Sequence, residues 1–405
     1  MRIARNLFAP FLILCVMPVC GTAFCQEAAF GRYADHTAQW EPVNGDLLDG
    51  FGNMYNLHVL EEPGAAYPFK GWFFGWAVKD CNPGYPGCDA IYAARAAAPA
   101  GPWEVYCGAE NGTPRWDAER DVDAWAPVIA GGDRYYNNWH NGDPSVVKFE
   151  GRYYMAYSAT GHNKDGIPFG REGDTDSDIS CVMGAVSEDG LHWTLTASPL
   201  LVHPQNIGGA PVAPGKYAHP RGMYHRPSLM RDEGKWKLWF DGLIYGKPCS
   251  MYYAENAGDF TEPTAWKIVR GLDNPCIWEF PNPDVVKAGD VYIAFGDPRG
   301  HPEPGWAARK TTCAVSENGL AWRLLGYIEP DEDVQANHVP EALVRREGGT
   351  TWLYVFYAGQ RFDDFRYRCI RAKRRPLSED IRNQYREWCK GVSGRAKPFA
   401  SQTVK

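Results

Sequence analysis

The sequence has no excess of positive charge, because its 42 lysines and arginines are outnumbered by 49 aspartates and glutamates. The formal net charge of -7 argues against the basic face that a nucleic-acid-binding protein needs to neutralise phosphates. No apolar stretch after residue 25 is long enough to span a bilayer, so no membrane span is predicted. The 12 cysteines include no Cys-x-x-Cys pair, which argues against a structural zinc site.

Residues 1–25 have the composition of a segment that directs export. Arg2 and Arg5 precede an apolar run at 7–19, and the small residues Gly21, Thr22 and Ala23 follow it. This order of features predicts a secretory signal peptide that is cleaved after residue 23 or residue 25. The apolar run is shorter than the roughly 20 residues of a spanning helix. The sequence therefore predicts a secreted or periplasmic protein that is soluble after processing.

Export favours disulfides among the cysteines that remain after cleavage. Cys81 and Cys88 flank a tight loop rich in proline and glycine, and they are the pair that the sequence favours. Sequence alone does not fix the connectivity of the others. A second loop carries Asp174, Asp176 and Asp178 like the start of a calcium-binding loop, but the glycine and the distal glutamate of that loop are missing. We interpret it as a solvated polar loop.

One pattern recurs along the chain: a proline, a short apolar strand, a glycine and an aromatic strand. It begins at Pro144, Pro227, Pro283 and Pro340, which are 83, 56 and 57 residues apart. A degenerate copy without the proline lies at 55–78, and turns that deliver a tryptophan follow at 187–193 and 316–322. Five such units predict an all-β fold, a five-bladed β-propeller with four-stranded blades. A β-sandwich would show shorter and more even turn spacing.

The fifth unit lacks a tryptophan strand after residue 372, whereas a segment at 37–43 that contains Trp40 precedes the first unit. We expect this segment to pair with the last blade and to close the ring, which satisfies both open sheet edges. The alternative is that Trp40 only anchors an N-terminal arm. The predicted boundaries are 1–25 for the signal peptide, 26–376 for the propeller, and 377–405 for a helical or polar tail.

Residues just before the innermost strands of a propeller converge on one mouth of its central channel. In this sequence they include carboxylates, imidazoles, a guanidinium and a tryptophan. The candidates are Asp49, Asp143, His225, Arg226, Trp278, Glu279, Asn282, His338 and Glu341. Carboxylates gathered in a cleft are what acid–base or nucleophilic cleavage of a glycosidic bond requires. We therefore predict Asp143, Glu279 and Asp49 as catalytic residues and the other six as substrate-binding residues.

Structural roles are the alternatives for these residues. Asp143 could cap its turn, Glu279 could form a bridge with Arg226 or Arg299, and Asp49 could be a turn former. The remaining alternatives concern binding. His225 and Arg226 could bind substrate hydroxyls or a carboxylate, and His338 and Glu341 could line the channel or hold a central ion or water.

The start of the strand at Asp143, the Glu-Phe-Pro element at Glu279, and the turn at 187–193 resemble the five-bladed glycoside hydrolases of families 43 and 32. The resemblance covers most of residues 49–372 and implies a glutamate general acid, which Glu279 fits. It also implies an aspartate base or nucleophile and a second, tuning aspartate. Either Asp49 is the first aspartate and Asp143 the second, or Asp143 is the first with His225 or Arg226 in second place.

This sequence departs from the family pattern at one point. In those families the three acids come from the first three blades in order, whereas Glu279 lies in the fourth unit here. A divergent member is therefore expected. Burial beside Trp278 is expected to keep Glu279 protonated.

These observations predict a secreted glycoside hydrolase that acts on a polysaccharide or oligosaccharide. The resemblance favours arabinose- or xylose-containing glycans, with fructans second. The alternatives are a non-catalytic carbohydrate-binding propeller, a sialidase-like hydrolase, which would need six blades, and a polysaccharide lyase. The expected partner is a carbohydrate substrate, and the protein is expected to be a monomer. No cofactor and no metal are expected at the site, although a structural calcium in the central channel is left open.

Overall fold

The computed structural model describes most of the chain between residues 40 and 390. The described residues are 40–76, 89–132, 136–138, 140–161, 179–203, 222–244, 249–271, 273–298, 309–362, 364 and 366–390. The predicted signal peptide, the predicted Cys81–Cys88 pair and the polar aspartate loop at 174–178 lie outside them. Within the described part, no helix combines the length and the apolar character needed to cross a membrane.

The described strands form five antiparallel sheets, and each sheet is one blade. Two short strands come first in the chain, β1 (Glu41–Pro42) and β2 (Leu48–Asp49). Blade 1 contains β3 (Met54–Glu61), β4 (Phe69–Trp76), β5 (Asp89–Ala96), β6 (Trp103–Glu110), β7 (Thr113–Asp117) and β8 (Pro127–Ile129). Blade 2 contains β9 (His140–Phe149), β10 (Arg152–Gly161), β11 (Ile179–Ser187), β12 (Thr194–Leu195) and β13 (Leu201–Val202).

The remaining blades follow the same order from the inside outwards. Blade 3 contains β14 (Gly222–Asp232), β15 (Lys235–Ile244), β16 (Ser250–Asn256) and β17 (Lys267–Arg270), with a 3-10 turn at Pro263–Ala265. Blade 4 contains β18 (Asp284–Ala288), β19 (Val291–Gly296), β20 (Thr312–Ser316) and β21 (Arg323–Tyr327). Blade 5 contains β22 (Val334–Glu347), β23 (Thr350–Arg361) and β24 (Tyr367–Pro376), and the helix α1 (Glu379–Cys389) follows it.

The innermost strands contact one another around a closed ring. β3 contacts β9, β9 contacts β14, β14 contacts β18, β18 contacts β22, and β22 contacts β3. The prediction of a five-bladed propeller is therefore confirmed. Because neighbouring strands in a blade are antiparallel, the start of each first strand, the end of each second strand and the start of each third strand lie at the same end of the channel. We call this end the mouth.

Each blade carries a residue with a positive φ within its innermost strand or just before it. These residues are Asn56 (57°), Asp143 (48°), Arg226 (46°), Asn282 (51°) and Val339 (49°). In four blades the next residue is the repeated proline, which has no N–H group to leave unpaired in the ladder. The pairing register shifts at this point in four blades, as in a β-bulge. A bulge redirects the side chain, and here it does so at the mouth.

The tryptophan turns connect neighbouring blades. The indole nitrogen of Trp72 in blade 1 donates to the carbonyl of Gly190 in blade 2, at 2.9 Å. Trp239 in blade 3 donates in the same way to Gly319 in blade 4, at 2.7 Å. Both glycines have a positive φ, and a Cβ atom on either would lie within 3 Å of the partner indole. The glycine in each turn is therefore required by the backbone conformation and by the packing of the next blade.

The N-terminal strands complete the last blade. β1 pairs with β24 through Glu41 opposite Arg374, and β2 pairs with β24 through Leu48 opposite Ile370. Trp40 is buried and its ring meets Phe295 of blade 4 edge-on, with ring centroids 6.0 Å apart. The prediction that this segment closes the ring is confirmed, and Trp40 also packs against the neighbouring blade.

The helix α1 lies within the stretch 378–390, where the sequence suggested a helix. The hydroxyl of Ser378 caps its first turn by accepting a hydrogen bond from the Ile381 amide, at 3.3 Å. Tyr385 and Cys389 are buried against the core of blade 4.

Seven cysteines lie in the described part of the chain, and no two of them form a disulfide with each other. They are Cys107, Cys181, Cys249, Cys276, Cys313, Cys369 and Cys389. The described residues therefore contain no disulfide, and the predicted Cys81–Cys88 pair is not among them.

Candidate active site at the mouth of the channel

Asp143 lies at the centre of a cluster of charged and imidazole side chains at the mouth. Its side chain is 3% exposed. The nearest nitrogen atoms of basic side chains are His225 Nδ1, at 3.7 Å, and Arg226 Nε, at 3.8 Å. Neither carboxylate oxygen of Asp143 forms a hydrogen bond of normal geometry with the described residues. Burial raises the pKa of Asp143, while the charges of Arg226 and His140 act in the opposite direction.

His140 is held by a carboxylate from the neighbouring blade. Its Nδ1 lies 2.5 Å from Oδ2 of Asp89, the first residue of β5. Burial alone would lower the pKa of His140, but the Asp89 carboxylate raises it above its usual value. The rings of His140 and His225 are stacked, with centroids 5.6 Å apart. Burial and the charge of Arg226 lower the pKa of His225, so this second imidazole is neutral.

Arg226 is positioned by two contacts besides Asp143. Its Nη1 lies 3.1 Å from Oδ2 of Asp241, near the end of β15. Its backbone amide donates to the hydroxyl of Ser158, at 2.7 Å. Asp241 also accepts a hydrogen bond from the Asn282 amide, at 3.0 Å, which connects blades 3 and 4. The guanidinium therefore has its own counter-ion.

His338 and Asn282 contact Asp297, which lies directly after β19. The Nδ1 atom of His338 and the amide nitrogen of Asn282 are both hydrogen-bonded to the Asp297 carboxylate. Asp297 is fully buried, and it also accepts a hydrogen bond from Arg309 Nη1, at 3.2 Å. Both predicted substrate-binding residues are thus near the mouth, and each is already held by an acid of blade 4. The sequence did not single out this acid.

Glu341 lies deeper in the channel than its predicted role in substrate binding suggests. Its Oε1 accepts from Asn56 Nδ2, at 2.6 Å, and its Oε2 lies 2.8 Å from His58 Nδ1. His58 Nε2 donates to the Val146 carbonyl, at 2.8 Å, so its proton is on that nitrogen. Burial, together with the charge of Asp284, raises the pKa of Glu341 well above its usual range, and burial lowers the pKa of His58 to about 4. Both pKa shifts are consistent with a protonated Glu341 that donates a hydrogen bond to a neutral His58.

Polar side chains at the same depth in the channel as Glu341 form hydrogen bonds to the backbone of the next blade. These contacts link the blades of the ring. The Ser145 hydroxyl accepts from the Leu229 amide at 2.9 Å, and the Ser228 hydroxyl accepts from the Val285 amide at 2.8 Å. In the same way, Asp284 accepts from the Ala342 amide at 2.7 Å. These repeated contacts account for the buried polar side chains below the mouth.

Glu279 and Trp278 lie at the rim, on the segment that leads into β18. Glu279 is exposed and has a φ of 54°, and its amide donates to the Ser250 hydroxyl, at 3.2 Å. Trp278 is half-buried. The expected burial of Glu279 beside Trp278 is wrong, because the segment turns this side chain outwards. The alternative role of Glu279, a bridge to Arg226, is not seen, since Arg226 is paired with Asp241, and Arg299 lies outside the described residues.

The structure does not bring Asp49 into this cluster. Asp49 ends β2, which is the outermost strand of blade 5, because β2 pairs with β24. Its carboxylate forms an exposed ion pair with Arg120, at 2.5 Å. The sequence suggested that Asp49 directly precedes an innermost strand, but the loop 50–53 lies between them.

Two groups of side chains within the described residues could hold a metal ion. One consists of His140, Asp143 and His225 at the mouth, and the other of His58, Asp284 and Glu341 in the channel. In each group, one ligand atom from every residue lies within 4.8 Å of the others. The sequence predicted no metal at the site, since the meeting of imidazoles from two blades at Asp143 is a tertiary contact.

Several solved structures with this fold are glycoside hydrolases. One glycoside hydrolase matches with a TM-score of 0.57 over 85% of this chain and 94% of its own, at 13% identity. A thermostable family-43 glycoside hydrolase matches with a TM-score of 0.50 over 81% and 91%, at 13% identity. Zg3597, a family 117 glycoside hydrolase from the marine bacterium Zobellia galactanivorans, matches with a TM-score of 0.51 over 85% and 92%, also at 13% identity. These likenesses show a shared fold.

No protein-family model and no curated protein sequence matches the chain.

Proposed function

We propose that this protein is a secreted glycoside hydrolase whose site is the cluster around Asp143. The observation that carries the proposal is the buried carboxylate of Asp143, which faces two imidazoles and a guanidinium and has no hydrogen bond of normal geometry within the described part of the chain. Buried polar groups in proteins are nearly always hydrogen-bonded, and a catalytic role is one explanation for an exception. The fold shared with glycoside hydrolases supports the same conclusion.

Cleavage of a glycosidic bond needs a proton donor at the leaving oxygen and a second carboxylate on the other side of the sugar. Glu279 is exposed at the rim, where the leaving part of a glycan can reach it, and we assign it as the proton donor. Asp143 is recessed, and we assign it as the base that positions a water molecule. Trp278 offers an apolar face to a sugar ring.

The neighbouring groups suit an ionised Asp143 that is also basic. Burial raises its pKa, which strengthens it as a base, while Arg226 and His140 keep the carboxylate form accessible. Activity should therefore rise as the pH rises through the raised pKa of Asp143. A kcat/KM that does not rise with pH through this range would contradict this assignment.

The resemblance to families 43 and 32 favours arabinose- or xylose-containing glycans as substrates. The test is product release by the protein from residue 26 onwards on arabinan, arabinogalactan, xylan, fructan and sialylated glycans. The variants Asp143→Asn and Glu279→Gln should each lose roughly 100-fold or more in kcat, because general acid–base catalysis contributes about 10²–10⁴-fold. Glu188→Gln is the matched control, since Glu188 is an exposed acid paired with Arg152 away from the mouth.

Each outcome separates the alternatives. Sugar release by the parent and the control, but not by the two site variants, supports the glycosidase and its site. Binding of a glycan without turnover in any variant would instead indicate a carbohydrate-binding propeller. Unsaturated products that absorb in the near ultraviolet would indicate a lyase. A sialidase is disfavoured by the ring of five blades, since that class needs six.

A further inference from the structure

Asp143 is the buried carboxylate at the mouth that lacks a close partner. Asp89 and Asp143 are both buried, but Asp89 is paired with His140, at 2.5 Å, whereas the nearest basic nitrogen to Asp143 is His225 Nδ1, at 3.7 Å. Arg226 is the nearby permanent cation, but it is closer to Asp241, at 3.1 Å, than to Asp143, at 3.8 Å. An uncompensated buried charge is costly, so buried carboxylates are normally paired or bound to a metal.

The ligand atoms converge on one point. His140 Nδ1 is held by Asp89, so its Nε2 faces away from that bond, and this buried nitrogen has no hydrogen-bond partner among the described residues. One atom each of His140, Asp143 and His225 lies within 4.8 Å of the other two. Ligands around Zn²⁺ at about 2.0–2.2 Å lie within roughly 4.4 Å of one another, so small side-chain rotations are enough to complete the set.

We propose that His140, Asp143 and His225 bind a divalent transition-metal cation of the Zn²⁺ type, with Asp89 orienting His140. Two imidazoles and one carboxylate suit this class of cation, whereas Ca²⁺ and Mg²⁺ prefer oxygen ligands. A carboxylate that accepts the other ring N–H of a metal-bound histidine is the usual means of fixing its tautomer. Asp89 occupies this position, although it comes from a different blade.

The deeper group of His58, Asp284 and Glu341 is a weaker candidate for the same cation. Both ring nitrogens of His58 are already engaged, one with Glu341 and the other with the Val146 carbonyl. Asp284 accepts hydrogen bonds from Ser228 and Ala342 through its two oxygens. A cation there would have to break these bonds. At the mouth, by contrast, the two carboxylate oxygens of Asp143 and Nε2 of His140 form no such hydrogen bonds with the described residues.

Three protein ligands leave at least one coordination position for a water molecule or a sugar hydroxyl at the mouth. A cation in this position lowers the pKa of its bound water and orients the substrate. Asp143 would then act on the water through the cation. This role rests on the proposed function, whereas binding of the cation does not.

The test uses the protein from residue 26 onwards, stripped with a chelator and titrated with Zn²⁺ alone by calorimetry, with metal content measured after gel filtration. We expect one equivalent of zinc per chain, and a loss of at least tenfold in affinity for His140→Gln and for His225→Gln. Asp89→Asn should weaken binding by roughly 10–100-fold, because it removes only the orienting contact. The control is His192→Gln, since His192 forms an exposed pair with Asp189, at 2.7 Å, of the same chemistry. It should bind zinc like the parent.

The outcomes are distinguishable. Failure of the parent to bind zinc, or binding that both histidine variants retain, overturns the proposal. Binding that His58→Gln alone abolishes would place the ion in the deeper group and would also overturn it. Thermal unfolding of each variant establishes that it folds. If the histidine variants do not fold, Co²⁺ added to the unaltered protein gives a second readout, because histidine–carboxylate coordination produces visible d–d absorption, and its absence overturns the proposal.

The proposed function can fail separately. Zinc binding without cleavage of any glycan would support the metal site and contradict the proposed glycosidase activity. Cleavage by the chelator-treated protein, with no zinc binding, would support the glycosidase activity and contradict the metal site.

Discussion

The Oδ2 atom of Asp89 in blade 1 lies 2.5 Å from Nδ1 of His140 in blade 2. Asp89 begins the third strand of its blade and His140 begins the first strand of the next, and both starts face the mouth. The contact fixes one imidazole nitrogen and leaves the other directed away from Asp89. The chemistry of the site therefore depends on the packing of two blades against each other, as well as on residues of the innermost strands.

The position of Asp49 on an outer strand predicts that it takes no part in the reaction. Asp49→Asn should leave kcat/KM unchanged, whereas Asp143→Asn should abolish turnover. The variant loses an ion pair with Arg120 in which both side chains are 42% exposed. We expect the free energy of unfolding to fall by less than about 1 kcal/mol, since exposed pairs contribute little. Kinetics and urea unfolding check these two expectations. A loss of activity comparable to that of Asp143→Asn would indicate that Asp49 takes part in catalysis.

The tryptophan turns predict a specific cost for a methyl group at Gly190. In Gly190→Ala the new Cβ would lie 2.9 Å from the Trp72 ring of blade 1. Gly234→Ala is the matched control, because Gly234 has a similar φ of 73° but a Cβ added there would meet no atom within 4 Å. Both variants carry backbone strain, and only Gly190→Ala adds overpacking of about 1–3 kcal/mol. Equal midpoints of urea unfolding for the two variants would show that the turn is not packed as described.

Closure of the ring predicts that Trp40 contributes strongly to stability. Trp40→Ala removes a buried indole that meets Phe295. We expect a loss of about 3–5 kcal/mol in the free energy of unfolding, as for other buried aromatic residues. Phe362→Ala is the control, since Phe362 is 68% exposed and should change stability by less than about 0.5 kcal/mol. Similar, small effects in both would mean that the N-terminal segment is not integral to the last blade.

The buried Asp284 predicts a pH dependence of stability. Burial raises its pKa from 3.8 to about 6, so the folded protein binds this proton more tightly than the unfolded chain does. Its stabilising contribution is complete below pH 4 and is lost as the pH rises through 6, a difference of about 3 kcal/mol.

Asp284→Asn cannot titrate, so its free energy of unfolding should fall less between pH 4 and pH 7 than that of the parent. The quantity compared is the change in the free energy of unfolding with pH. The absolute values are not compared, because the amide also disturbs the hydrogen bonds to Ser228 and Ala342. Parallel pH curves for the two proteins, measured by urea unfolding, would contradict the raised pKa.

Much of the fold could be predicted from the sequence, because each blade repeats the same local requirements. The prolines at 144, 227, 283 and 340 follow the residue whose positive φ bends the innermost strand, and the aromatic second strands fill the space between blades. The missing last strand of the fifth unit and the tryptophan strand before the first unit were also recognisable. Both signals come from short segments and do not depend on distant contacts.

The site was only partly predictable. Asp143, His225 and Arg226 could be found because they stand at the starts of innermost strands and are marked by the repeated proline. Asp89 and Asp297 reach the same mouth from the start of a third strand and from the end of a second strand, and no proline marks those places. Considering those strand ends as well would have identified them.

The exposure of Glu279 and the outer position of Asp49 could not be predicted from local sequence. Glu279 turns outwards because of the backbone of the segment before β18, where its φ is 54°. The place of Asp49 follows from pairing with β24, a strand that lies about 320 residues later in the chain (369–370 against 48–49). Both depend on tertiary contacts.

The composition of the last blade also sets the order in which the protein can mature during synthesis. Its strands come from both ends of the described chain, so β1 and β2 have no partner until β24 has been made. His338 takes its place beside Asp297 only when the fifth blade docks. Such long-range pairing makes folding slow and leaves edges unpaired until late. A ribosome-bound chain that stops before residue 334 would therefore hold four blades, an open ring of innermost strands and an incomplete mouth.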